Sequence, residues 1–163
     1  MTFWNRLCQW TRLFWSQCFS DPLERCRWIK FPSTRQSLSE KPKDQLARMG
    51  EESATQYLLS KGYSVLHRNI RFPEGELDIV AKLSKTLIFV EVKTRATDKF
   101  GFPEQSISES KQRRQVAMAN RFISICRLWK VPVRFDVVSV VIPPGQLPNV
   151  EHFENAFLPG DLR

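Results

Sequence analysis

Two short segments concentrate the residues that could do chemistry. Gly75-Glu76-Leu77-Asp78-Ile79-Val80 carries two acids at alternate positions, and Phe89-Val90-Glu91-Val92-Lys93 carries an acid and a lysine two residues apart. Both have the β-branched and aromatic content of strands, and the short Leu83-Ser84-Lys85 connection between them predicts a hairpin turning about Ser84-Lys85. In that register Asp78 faces Glu91 and Glu76 faces Lys93, while alternation puts Glu91 and Lys93 on one face and Val90 and Val92 on the other. Side chains directly opposed on an antiparallel pair have Cβ atoms roughly 5 Å apart. Two carboxylates at that separation repel unless a cation lies between them, and hard oxygen donors suit Mg²⁺ or Mn²⁺. A lysine beside such a pair can hold an attacking water or steady charge developing on a phosphate. The alternative is a solvated charged face on which Lys93 merely neutralises Glu76 or Asp78. Glu91, however, is embedded in Leu87-Ile88-Phe89-Val90-Glu91-Val92, a run apolar on both faces as in a central strand, and solvation does not explain a carboxylate there.

Such a hairpin needs a sheet and covering helices to hold it. Asp44 as a cap, the apolar spacing of Leu46, Met49, Ala54, Tyr57 and Leu58, and the Lys61-Gly62 stop predict a helix over 45–61. A strand over 63–68, a turn at Pro73-Glu74-Gly75 and the two strands at 76–82 and 86–93 follow. A polar loop spans 94–110, and Val116, Ala119, Phe122, Ile123, Cys126 and Trp129 predict a second helix over 109–129. A strand over 134–142 is stopped by Pro143-Pro144, and the tail to Arg163 carries no distinct signal. Helix, three strands, helix and strand in that order make an α/β fold with a mixed sheet.

With 163 residues, 42% hydrophobic and 26% charged, the chain suffices for one core plus an appendage, which excludes collagen-like, wholly disordered and multi-spanning membrane proteins. No stretch approaches the roughly 18 apolar residues of a membrane-spanning helix. The net charge of +8 favours acidic partners such as nucleic acid or an anionic membrane surface. Cys8, Cys18, Cys26 and Cys126 form no CxxC pair, so zinc and thiol redox motifs are absent and reduced thiols in a cytoplasmic protein are expected. Residues 1–43 stand apart, holding four of the five tryptophans and three of the four cysteines. The recurrence of Phe3, Trp4, Leu7, Cys8, Phe14, Trp15, Cys18 and Phe19 at three- and four-residue steps is compatible with an amphipathic helix. Such a helix would dock on a membrane surface, a protein partner or its own domain; the remaining alternative is an unstructured extension. The polar, Pro-bearing stretch 31–43 reads as a linker, which places the domain at 44–163.

The ordered set of motifs, GELDIV followed by FVEVKTR, resembles the PD-(D/E)xK phosphodiesterase motif of restriction-endonuclease-like nucleases. Gly50-Glu51, Lys61-Gly62-Tyr63, Arg68-Asn69-Ile70-Arg71, Phe100-Gly101 and Arg134-Phe135-Asp136-Val137-Val138 are similar to the YraN family. Its members are regarded as predicted endonucleases distantly similar to archaeal Holliday-junction resolvases. The resemblance implies a restriction-endonuclease-like mixed sheet flanked by helices. It implies a nuclease acting on DNA ahead of RNA, with branched DNA among the candidate substrates, and a homodimer by analogy with resolvases. Asp78 and Glu91 would hold Mg²⁺ or Mn²⁺, Lys93 would assist the nucleophile, and Glu51 would complete the metal shell from the first helix. Spacing alone leaves Glu51 equally suited to a surface role beside Glu52. Glu76 is assigned a supporting position behind the ligands. Arg71, Thr94, Arg95, Lys99, Lys111, Arg113 and Arg114 are candidate phosphate contacts, against the alternative of a solvated basic turn. The competing function is a non-catalytic nucleic-acid-binding or adaptor protein on the same fold. His67 and His152 have no partnered spacing for zinc or a nucleophilic triad, and Asp136 is expected to pair with Arg134 in a structural role. No glycine-rich phosphate loop occurs.

Overall fold

The computed structural model describes residues 21–32, 42–97 and 108–158. In chain order these form α1 (Pro22–Cys26), α2 (Pro42–Ser60), β1 (Ser64–Phe72), β2 (Gly75–Leu83), β3 (Thr86–Arg95), α3 (Glu109–Cys126), β4 (Val133–Val141) and β5 (Asn149–Phe153). The five strands make one sheet in the order β1-β2-β3-β4-β5. Hairpins join β1 to β2 and β2 to β3, so those pairs are antiparallel. The chain leaves β3, passes through α3 and returns as β4 parallel to β3, and β5 then pairs antiparallel with β4. A parallel neighbour demands a crossover of about a dozen residues or more, and α3 supplies it.

Each face of the central strands has its own core. Val80, Leu87, Phe89, Phe135 and Val137 pack with Met118, Ala119 and Phe122 of α3. Ile79, Ala81, Ile88, Val90, Val138 and Val140 pack with Ala54 and Leu58 of α2. Leu87 to Glu91 are buried without a break, because β3 lies mid-sheet between two helical layers. The mixed α/β architecture expected from the order of elements is therefore present.

Element boundaries differ from the sequence expectation where neighbours intervene. β1 runs on to Phe72 rather than stopping near 68, because its pairing with β2 continues to Phe72 opposite Gly75. α3 stops at Cys126, not 129: Arg127 takes a left-handed conformation (φ 57°) and its N–H returns to the Ile123 and Ser124 carbonyls. Trp129, counted by its spacing as a helical core position, stands 68% exposed beyond that cap. β5 was not expected, since it is an edge strand with alternate positions open to solvent and little apolar pattern to betray it. None of the described helices is long and apolar enough to cross a membrane.

Residues 21–32 precede the domain start expected at 44, and Phe31 and Pro32 belong to the stretch expected as a linker, yet they pack on the domain. Leu23 and Cys26 of α1 are buried in it. Phe31 stacks on Phe122 with centroids 5.0 Å apart and meets Phe72 and His67 edge-on. Pro32 accepts a hydrogen bond from the Arg71 N–H (2.9 Å). Lys82 ties the segment to β2 through Asp21 (2.8 Å) and Glu24 (2.5 Å). His67 donates from Nε2 to the Cys26 carbonyl (2.6 Å), a structural role. Cys26 and Cys126 are free thiols. The amphipathic segment expected over residues 3–19 lies outside the described residues.

At the start of β4 an ionic network replaces apolar packing. Asp136, fully buried, accepts from Arg134 Nε (2.9 Å) and Nη2 (2.8 Å), His152 Nε2 (2.9 Å) and the Asn155 N–H (2.9 Å). Arg134 also reaches Glu154 (2.7 Å) and the Tyr63 hydroxyl (2.8 Å), joining β4 to the residues before β1 and after β5. Burial alone would push the Asp136 carboxyl up, but the hydrogen bonds from His152, Arg134 and the Asn155 N–H, with the guanidinium charge, hold it below the usual carboxylate value of 3.8. Its stabilising contribution is thus complete above 3.8 and drains away as pH falls through the lower folded value. Asp136→Asn leaves Arg134 facing a neutral amide and is expected to cost about 3 kcal/mol in urea denaturation at neutral pH. The gap from wild type should stay constant down to about pH 5 and shrink at lower pH.

Candidate functional site

The hairpin register anticipated from the sequence is the one adopted. Leu83 pairs with Thr86, and successive pairs lead to Ile79 opposite Val90. Ser84, the first of the two turn residues, takes a left-handed φ of 54°. Beyond Ile79 and Val90 the strands divide. β2 stays with β1 through Leu77, Glu76 and Gly75, and β3 stays with β4 as far as Arg95 opposite Val141. Asp78 and Glu91, the next facing pair, therefore stand at the crotch of a fork in the sheet. There the Val92 N–H donates to Asp78 Oδ2 (2.8 Å), so a side chain takes over from the backbone ladder and ties the two strands together.

Glu91 is almost fully buried, with 5% of its side chain exposed. Two residues of α3, one turn apart on the same helix face, satisfy it: Lys111 Nζ meets Oε1 and Gln115 Nε2 donates to Oε2. Asp78 lacks such help. Removal from water first, and then the charge of Glu91, push its carboxyl well above the usual carboxylate range, against the opposing pull of the Val92 N–H; Glu51 adds to the rise and Lys111 opposes it. Lys93, half-buried on the Glu91 face, is pulled below its usual value by burial and then by the Lys111 charge, while Glu91 resists and Arg95 assists.

Glu51 reaches this neighbourhood because Gly50 precedes it. A Cβ at Gly50 would lie 1.8 Å from Thr94 Oγ1, so only glycine lets α2 rest this closely on β3. Glu51 accepts a hydrogen bond from Asn69 Nδ2 (2.7 Å). Asn69 sits at φ 54° within β1, a conformation that asparagine tolerates better than most side chains. Glu51 thus bears on Asp78 by its charge while its carboxylate is held by β1.

The remaining expected site residues scatter. Glu76 lies opposite Arg71 across β1 and β2 and forms an ion pair with it at 3.5 Å, so the facing of Glu76 and Lys93 expected from the hairpin falls past the last β2–β3 pair. Thr94 packs beneath Gly50 on the α2 side of the sheet, away from the face that carries Lys93. Arg95 is half-buried at the end of β3. Lys111 is engaged by Glu91. Arg113 and Arg114 are exposed on the first turns of α3, where Arg113 pairs with Glu109 (2.5 Å). Lys99 and the Phe100-Gly101 motif lie outside the described residues. Sequence reasoning missed Gln115, whose only signal is its spacing of four from Lys111 along the helix. Asn69, within the motif over 68–71, carries no signal of its bond to Glu51 in the sequence.

Among the described residues, no three side chains of Asp, Glu, His or Cys stand close enough to hold a metal ion as they are. The donor chemistry at the fork nevertheless fits a hard divalent cation. Two carboxylates lie near one another, their mutual repulsion adds to the rise of the Asp78 carboxyl, and the Val92 bond engages only one Asp78 oxygen. The ionised form of Asp78 is the costly one in the fold. That cost is absent below 3.8 and grows as pH rises through the higher folded value. Asp78→Asn, which keeps an acceptor for Val92, should therefore melt several degrees above wild type at pH 8 without divalent ions. The advantage should narrow in thermal melts as pH is lowered toward the ordinary carboxylate value.

Residues 50–140 match the model of the uncharacterised protein family UPF0102, a span that includes Glu51, Asp78, Glu91, Lys93, Lys111 and Gln115. A UPF0102 protein of Thermodesulfovibrio yellowstonii is 42% identical over 113 residues, covering 69% of this chain and 96% of that protein. One from Clostridioides difficile is 42% identical over 108 residues, covering 66% and 92%. One from Syntrophotalea carbinolica is 45% identical over 112 residues, covering 69% and 90%. These matches agree with the YraN-like resemblance of the motifs, and the chain belongs to the uncharacterised protein family UPF0102.

Proposed function

We propose that the chain is a divalent-metal-dependent nuclease that hydrolyses phosphodiester bonds in DNA, with branched DNA among its substrates and two copies acting together. The observation that carries this reading is the fork, where Asp78 and Glu91 come level and Lys93 follows on the face of Glu91. Asp78 and Glu91 would hold Mg²⁺ or Mn²⁺, which supplies Lewis-acid polarisation of the phosphodiester when bound. The chain's own groups do the rest. Val92 orients Asp78, and Gln115 fixes Glu91. The half-buried Lys93 presents an ammonium to a phosphate oxygen or to the attacking water. Arg113 and Arg114, with the net charge of +8, favour the approach of a polyanion. The choice of DNA and of a dimer follows the resolvase-like resemblance.

A non-catalytic nucleic-acid-binding role has one observation in its favour: Lys111 forms an ion pair with Glu91. Incubating the purified full chain and Lys93→Ala with linear, nicked, single-stranded and four-way DNA in Mg²⁺ or Mn²⁺ separates the two. Cleavage by wild type that EDTA abolishes, and that falls about 10²- to 10³-fold in Lys93→Ala while binding persists, is the expected result. Binding without cleavage by wild type in either metal assigns the non-catalytic role.

A further inference from the structure

A carboxylate buried in a central strand needs a compensating cation, and here a lysine provides it from a surface-facing helix turn. We propose that Lys111 is the resident counter-ion of Glu91 and competes with a divalent cation for its Oε1, so that metal loading releases the lysine toward the substrate side. The inference rests on the metal-dependent reading above.

The contact is built asymmetrically. The Glu91 side chain is 5% exposed, whereas that of Lys111 is 43% exposed, so the lysine enters from solvent and can withdraw without unpacking the core. Gln115, one turn further along α3, is buried, and its neutral amide holds the other oxygen of Glu91. That amide keeps the carboxylate oriented whether or not the ammonium is present. The charge of Lys111 acts on Asp78 as well as on Lys93, which places it among the groups that would surround an ion. An ammonium and a divalent cation at contact distance from one oxygen of the buried Glu91 repel each other. Lys111 also lies in the first turn of α3, where the helix dipole disfavours a cation, so its hold on that position is weaker than at a helix C-terminus. Once displaced, the ammonium lies on the same turns as the exposed Arg113 and Arg114, where a substrate phosphate would complement it.

Calorimetric titration of the full chain with Mn²⁺ alone, without nucleic acid, tests the competition. Lys111→Met is expected to bind Mn²⁺ about tenfold more tightly than wild type, the size of one charge-assisted hydrogen bond that no longer has to be broken. Lys111→Arg should stay near wild type, and Asp78→Asn should lose binding. In thermal melts without metal, Lys111→Met should melt below wild type, because Glu91 loses its counter-ion, and Mn²⁺ should raise its Tm by more than it raises that of wild type. Lys111→Gln keeps a donor to Glu91 without the charge, and stands in with the same expectation should the methionine variant not fold. Equal or weaker Mn²⁺ binding by these neutral variants, with wild type still binding, overturns the role of Lys111 and leaves the metal reading intact. Absence of Mn²⁺ binding in wild type and in the variants overturns both.

Discussion

Placing a carboxylate in the central strand of a sheet with helices on both faces imposes a condition on everything around Glu91. An isolated buried charge costs several kcal/mol even after relaxation, so the strand can carry it only where neighbouring elements bring donors to both oxygens. α3 meets the condition with Lys111 and Gln115, four residues apart and hence on one helix face. The crossover that makes β4 parallel to β3 is therefore also the element that makes Glu91 tolerable. The division of the sheet after Ile79 and Val90 meets a second condition, since it opens space beside Glu91 and lets Asp78 bond the Val92 N–H where a backbone partner would otherwise stand.

The sheet holds one fully buried aspartate, Asp136, and one partly buried, Asp78, and their electrostatics are opposite. Asp136 collects a guanidinium, an imidazole and a backbone N–H, and its carboxyl is held low. Asp78 has one backbone N–H and faces other carboxylates, and its carboxyl is driven up. Full satisfaction of a buried polar group is the mark of a stabilising network. Partial satisfaction beside like charges is the pattern found where a protein keeps a group for chemistry, at a cost in stability. Asp136 and Arg134 tie β4 to the chain on either side of it. Asp78, Glu91 and Lys93 lie where the sheet opens, beside the left-handed Asn69 and the close approach at Gly50.

Much of this was legible beforehand. The hairpin register followed from placing the two-residue turn at Ser84-Lys85, since the turn position fixes every facing pair and a one-residue slip would change them all. The structural pairing of Asp136 with Arg134 was also expected, and the two meet at 2.8 Å. Helix ends were less legible, since the left-handed cap at Arg127 overrides an apolar periodicity that continues to Trp129. The edge strand β5 escaped notice because half-exposed strands carry weak patterns. The contribution of residues 21–32 is not legible in the sequence, because a polar, Pro-bearing stretch signals a flexible connection and hides both what precedes it and the Phe31 at its start.

The local alphabet of this chain, with its alternating strands, helical periodicities and the carboxylate that apolar neighbours enclose, was enough to specify a mixed α/β sheet and to single out Asp78, Glu91 and Lys93. Those features depend on contacts within a few residues or across one tight turn. The partners of these groups come from far along the chain: Lys111 and Gln115 from the crossover helix, Asn69 from a strained position in β1, Thr94 claimed by Gly50 rather than by solvent. Charges and hydrogen bonds at a site are set by distances between elements, and those distances exist only after the two helical layers have closed on the sheet.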